Sequence, residues 1–300
     1  MLARPADPGD PAAVVALIAA HQVRPDRSIV YLGTTEAGIV RELDALEPPW
    51  RDTLRVARSG AAVVGACIAE WDREVERAWV VGPWVDGDEQ AWTDVAEALF
   101  DAAVEQLPAG IRDVEIAGNV EHTGLAALAA ARGMEAGPVN HVMTVRNPLP
   151  ADASSPRAGV VRPARASDEA AIALLHDAEF PATHSSTAQL LARAGRDEAI
   201  VLVATADREV VGYAAGQVQP DGEGVIDFVA VATARRGHGI GRDLVTTLGN
   251  RLLADSPIGQ VGLTVEARRH AAATLYRSLG FQREQSFRGY RTPRAHRTGD

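Results

Sequence analysis

The chain has no lysine, a single cysteine and few aromatic residues, 5% of 300. Without lysine, a Schiff-base enzyme and a nucleotide triphosphatase of the usual phosphate-loop type are both excluded in their standard forms. Cys67 has no partner for an internal disulfide. It sits in the apolar run Ala61 to Ala69, which reads as a buried structural thiol, because a nucleophilic thiol needs an electropositive, accessible setting. Apolar stretches end well short of the roughly 20 residues a bilayer span requires, and Met1 to Asp10 lacks a signal-peptide layout, so a cytoplasmic protein with no membrane contact is expected. Forty acidic against 30 basic side chains leave a net charge of -10, which argues against nucleic acid as a partner. The eight histidines include no His-x-x-x-His pair, so no metal is expected.

What is present is a pattern written twice. Arg4-Pro5-Ala6 followed by Asp10 returns as Arg162-Pro163-Ala164 followed by Asp168, 158 residues later. Val63-Val64-Gly65 returns as Val210-Val211-Gly212, and Arg132-Gly133-Met134 as Leu279-Gly280-Phe281, both 147 residues later. Asp10 and Asp168 fit helix N-caps, with Pro11 suited to a first helical position. The stretch from Asn147 to Pro156, rich in proline, serine and alanine, reads as an extended linker. Domains at 1–148 and 159–300, joined by a linker at 149–158, are therefore expected.

In the second half, helices are expected over Asp168 to His176, Ser186 to Arg193, Gly239 to Ala254 and His270 to Leu279. Strands are expected over Ala199 to Thr205, Val210 to Val218, Val225 to Val231 and Gln260 to Val265, with a last β segment after the final helix. The order implies a mixed α/β sheet. Strand Val225 to Val231 leads through Arg236-Gly237-His238-Gly239-Ile240-Gly241 straight into an amphipathic helix. A glycine-rich turn at a helix start offers unpaired N–H groups and the positive end of the macrodipole, which suits a phosphate. Glycines at 237, 239 and 241 after a late strand do not fit the dinucleotide fingerprint, which follows the first strand of a βαβ unit.

Val229-Ala230-Val231 followed by Arg236 to Gly241 resembles the acetyl-CoA signature of the GCN5-related N-acetyltransferase (GNAT) family, Arg/Gln-x-x-Gly-x-Gly/Ala. Downstream, Ala272-x-x-Leu275-Tyr276-x-x-Leu279-Gly280-Phe281 resembles that family's second cofactor motif, and the likeness covers about residues 159 to 290. The resemblance implies an α/β chain of two tandem GNAT-like mixed-sheet domains. It further implies acetyl-CoA as cosubstrate, its pantetheine arm pairing with main-chain groups at Val229 and Val231 in a gap between parallel strands, and its pyrophosphate on the N–H groups of Gly237 to Gly241. Arg236 and Arg242 would add charge. Arg269 stands where the family often has asparagine, and with Arg268 and His270 it either reaches phosphate or covers a solvated helix start.

By the same resemblance Tyr276 is the general acid for the departing thiolate, against the alternative of a packed helix-face aromatic. For the base, strand alternation puts Asp227 on one face with Val225, Val229 and Val231, and Glu223 lies just before the strand. A water relay or a salt bridge competes for Asp227. His176 and His184 fall where the family's first helices line the acceptor entrance, and both are expected at the surface.

Aligned through the repeats, Gly82-Pro83-Trp84-Val85-Asp86-Gly87-Asp88-Glu89 takes the place of the phosphate loop, with acids for arginines, and Ala129 stands opposite Tyr276. The first half is accordingly expected to be a degenerate copy. All five tryptophans lie in it, as core or as an acceptor wall. Three functions follow: an N-acetyltransferase acting on a primary amine of a small molecule or peptide, a non-catalytic CoA-binding sensor or scaffold, and an acyltransferase using a longer acyl-CoA. Acceptor and oligomeric state stay open.

Overall fold

A computed structural model describes residues 3–7, 9–30, 32–150, 160–181 and 185–293. Along the chain run β1 (Arg4–Pro5), α1 (Asp10–Gln22), α2 (Glu36–Asp44), α3 (Trp50–Thr53), β2 (Arg55–Ser59), β3 (Ala62–Asp72), β4 (Arg77–Val85), α4 (Glu89–Glu105), β5 (Asp113–Asn119), α5 (Thr123–Ala131) and β6 (Glu135–Val145). Then follow β7 (Val160–Pro163), α6 (Glu169–Glu179), α7 (Thr187–Ala194), β8 (Ile200–Ala206), β9 (Glu209–Val218), β10 (Gly224–Val231), α8 (Ile240–Asp255), β11 (Val261–Glu266), α9 (His270–Ser278) and β12 (Gln282–Arg291). The second-half order is the expected one.

By contacts the chain forms two units, one of residues 1–140 with 285–300, the other of residues 141–284. By contacts the division falls between residues 140 and 141, and the last strand leaves the half of the sequence it belongs to. β12 pairs antiparallel with β5, from Phe287↔Asn119 to Arg291↔Glu115. In the second unit β6 is the neighbour of β11. Two last strands of similar pattern present the same main-chain edge chemistry, so alternation along a strand says nothing about which strand it pairs with. Most of the expected linker lies outside the described residues, but Leu149 does not behave as linker. Its side chain is buried in the second core, and its N–H and C=O both bond the Asn250 side chain, at 2.8 and 3.1 Å.

In the second unit α8 packs on β9 and β10 through the fully buried Leu244, Leu248 and Leu252, the stripe expected from the sequence. Gly216 permits the close approach of α8 to β9, since a Cβ there would fall 3.0 Å from Leu252 Cδ1 as well as 2.4 Å from Val225 O on β10. Shortening a buried leucine of this stripe to alanine costs about 2–5 kcal/mol. On the other face of the sheet Ile172 of α6 and Leu190 of α7 meet Val203, Tyr213, Phe228 and Ala230.

Two expected N-caps are corrected. Asp10 is the first residue of α1 and Gly9 its N-cap, while Asp168 holds the N-cap position of α6 but makes no side-chain bond into it. They reach back to the N–H three residues upstream, Asp7 at 2.7 Å and Arg165 at 2.8 Å, and pair with Arg58 and Arg162. Cys67 is buried, and burial pushes its thiol up to about 12, as suits a structural residue. Among the described residues no helix is long and apolar enough to cross a membrane.

Candidate active site

β10 and β11 run in parallel register only over Gly224↔Val261, Val225↔Gly262 and Ile226↔Leu263, while the strands continue to Val231 and Glu266. Beyond Ile226 a gap opens between them. Main-chain groups alternate sides along a strand. Ala232 N–H donates to Val211 O on β9, so the main-chain groups of Val231 and Val229 face the gap and those of Ala230 face β9.

β10 ends in a short helical turn, Thr233–Arg235, followed by Arg236 to Gly241. Gly237 and Gly239 adopt φ of +80° and +85°, a region side-chain-bearing residues avoid, and nothing lies within 4 Å of where their Cβ atoms would project. Gly239 is the N-cap of α8 and has no side chain to cap it. The N–H groups of Ile240, Gly241 and Arg242 come before the first intrahelical bond, Asp243 N–H to Gly239 O at 3.0 Å, and the dipole adds positive potential there. These features fit a diphosphate. Gly241 sits where its Cβ would touch Leu275 of α9 and Val231 of β10 at 3.7 Å, so loop, gap and α9 meet.

The charged side chains around the loop are already engaged. Arg236 donates to Val231 O at 3.1 Å and to Glu179 at 2.8 Å, Arg269 donates to Glu179, Arg242 to Ser278 Oγ at 2.7 Å, and His238 Nδ1–H to Arg236 O at 2.9 Å. Glu179, at the end of α6, had no sequence signal beyond its position 158 residues after His21.

Tyr276 is half-buried on α9, packed with Val229, Val231 and Leu275 against the second core, its ring edge-on to Phe281 at 6.0 Å. Burial raises its hydroxyl above the usual range; Arg269 opposes this and Glu179 adds to it. Such a phenol stays protonated at neutral pH, the state a general acid needs.

Asp227 lies at a β-bulge, where the β9–β10 register shifts between Ile226 and Phe228. Ile226, Val229 and Val231 pack with α8 while Phe228 and Ala230 pack with α6 and α7. The expected alternation is therefore broken at this residue. Asp227 accepts from Gln217 at 3.3 Å, and Arg193 of α7 bonds the same glutamine, so the carboxylate stands with α7 and not with Val229 and Val231. Burial pushes its carboxyl up to about 6, with Arg193 and Gln217 opposing. Glu223 sits at the closed end of the strand pair, accepting from Gln260 at 2.7 Å, where burial raises it. The gap is at the other end of β10.

His176 is corrected from surface to core. Its ring packs against Phe180, Tyr213 and Phe228, with Nδ1 2.5 Å from Tyr213 Oη and Nε2 2.8 Å from Ser185 O. A carbonyl only accepts, so Nε2 carries the proton. His184 lies outside the described residues.

Residues 197–283 match the acetyltransferase (GNAT) domain family. The second unit carries a GNAT acetyltransferase domain. That family uses acetyl-CoA. The chain is 30% identical over 210 residues to a mycothiol acetyltransferase of Catenulispora acidiphila, covering 64% of this chain and 66% of that protein, and it spans less than two thirds of the length of the curated relatives it matches. Among solved structures, a GCN5-related N-acetyltransferase from Sphaerobacter thermophilus has the same fold at TM-score 0.71 and 20% identity, over 97% of this chain and 95% of that one. A tandem GNAT protein from the clavulanic acid biosynthesis pathway aligns at TM-score 0.64 and 18% identity, over 97% of each chain.

In the first unit, β4 and β5 pair over Arg77↔Asp113 to Trp79↔Glu115 and both run on beyond. Here the chain itself lies along β5: Ile29 bridges Gly118, Val30 N–H donates to Ala117 O and Asn119 N–H to Ser28 O. The Gln22 side chain pins this segment, bonding Ile29 N–H and the carbonyls of Ile29 and Leu32 at 2.8–2.9 Å. α4 begins at an N-cap Asp88 whose carboxylate accepts from Ala91 N–H at 2.9 Å. Trp50, Trp84 and Trp92 are core residues; Trp71 and Trp79 are half-buried.

Proposed function

We propose that the second unit transfers the acetyl group of acetyl-CoA to a primary amine of a small molecule. The observation that carries this reading is the uncapped glycine helix start at Gly237 to Gly241, standing beside strands that part. Main-chain groups at Val229 and Val231 would pair with the pantetheine arm, and N–H groups from Gly237 to Gly241 would take the diphosphate. Asp227 removes the proton from the attacking amine, directly or through water. As the C–N bond forms and the C–S bond breaks, Tyr276 donates its proton to the leaving thiolate, so no acyl-enzyme is needed. Arg236, Arg242 and Arg269 would act on the cofactor only through or after release of their present partners.

The relative's name makes a mycothiol-related amine the first acceptor to test. The first unit, with its gap filled by its own chain, is read as a degenerate copy that supports the second, and the chain is taken to act in the cytoplasm. A thiol-release assay with acetyl-CoA and a panel of amines tests the reading. Amine-dependent release of free CoA is expected. Binding without release across the panel would instead mark a CoA sensor, and release only from longer acyl-CoA would mark a different acyltransferase.

A further inference from the structure

The two lips of the gap are the loop after β10, which carries Arg236, and the start of α9 after β11, where Arg269 is the N-cap. One carboxylate holds both. Glu179 Oε2 accepts from Arg236 at 2.8 Å and Oε1 from Arg269, and the Glu179 carbonyl takes a further, longer bond from Arg269 at 3.5 Å. Arg236 is fixed at its other side by Val231 O at 3.1 Å, on the strand edge that lines the gap. Without the acid, two like charges would face each other across the opening with nothing to set their separation.

A comparison within the chain supports a dedicated role. The residue 158 positions before Glu179 is His21, the offset that also joins Asp10 to Asp168. His21 ties the end of α1 to Asp86, the residue after β4, at 3.0 Å. The residue at the start of α5, His122, does not join this contact and instead accepts from Leu125 N–H at 3.2 Å. The unit whose gap is filled by its own chain thus ties one lip, and the unit whose gap is open ties both.

We infer that Glu179 is a positioning residue that braces the two lips of the cofactor cleft at the separation acetyl-CoA requires. The inference rests on the function proposed above. Its carboxylate acts through Arg236 and Arg269. Glu179 and Arg269 also act on the Tyr276 hydroxyl, in opposite directions, Arg269 lowering and Glu179 raising it.

Calorimetric titration of the full chain with acetyl-CoA, together with steady-state kinetics, tests it. Glu179→Gln should weaken acetyl-CoA binding about tenfold, with most of the loss in KM for acetyl-CoA and not in kcat. Glu179→Asp, able to reach one arginine only, should fall between. Arg269→Gln should weaken binding too, and the double variant should be no worse than the weaker single one, since both remove the same tie. Unchanged affinity in Glu179→Gln, or additive losses in the double variant, would overturn the brace. If Glu179→Gln loses its cooperative melting, Arg269→Gln and Arg236→Gln with their double variant decide by the same additivity criterion. A wild-type chain that binds no acetyl-CoA would defeat the proposed function itself, a result separable from wild-type binding that Glu179→Gln leaves intact.

Discussion

Two helix starts in this chain occupy the same station and have opposite chemistry. α4 begins on Asp88, whose carboxylate satisfies a first-turn N–H and brings negative charge to the end of the helix that attracts anions. α8 begins on Gly239, which supplies no cap and leaves those donors to whatever arrives. The neighbouring strands differ in the same sense, with Ser28 to Val30 laid along β5 in one unit and, in the other, main-chain groups of Val229 and Val231 facing a gap, where the Arg236 side chain reaches the Val231 carbonyl. On the function proposed above, a side-chain cap and a segment that takes the main-chain bonds are the two local changes that distinguish the first unit from the cofactor-binding one.

The comparison breaks most readily at Gly239. Gly239→Glu combines a strained φ with a carboxylate at the anion site and should abolish acetyl-CoA binding by calorimetry, where the wild type should bind one molecule per chain. Two per chain would mean that the first unit is not closed. Next in size, Tyr276→Phe should lower kcat about 10²- to 10⁴-fold while acetyl-CoA affinity stays within about twofold. Equal turnover in that variant would leave Tyr276 as packing alone.

Asp227 sharpens the comparison through pH. A base must be ionised, and burial raises this carboxyl to about 6, so kcat/KM should rise with pH through about 6 and level above it. Asp227→Asn should lower the plateau and remove that limb; a limb that persists assigns the base elsewhere. The smallest effect is expected in the first unit. Gln22→Ala strands Ile29 and Leu32 main-chain groups and should cost about 1–3 kcal/mol in urea unfolding, with acetyl-CoA affinity unchanged.

Much of the second unit was readable because its signals are local. The Leu244, Leu248 and Leu252 stripe, the strand-loop-helix order and the glycines at 237, 239 and 241 each follow from spacing within a few residues. The face of Asp227 is not legible in the sequence, because one bulge resets the two-residue period and nothing near Asp227 announces it. His176 looked like a surface residue because the aromatic rings that bury it, Tyr213 and Phe228, are 37 and 52 positions away. Glu179 carries no local signal, because its two arginines are 57 and 90 residues away.

Sequence alone determined that the chain is a doubled α/β pattern, that its second half carries a helix start suited to phosphate, and that its first half replaces that start with acids. These are properties of backbone propensity and of charge carried by neighbours. Only the tertiary structure decided that β12 pairs with β5, that Ser28 to Val30 fills one gap, and that Glu179 spans the other. Each of those depends on main-chain edges and side chains brought together from distant positions, where periodicity carries no information about partners.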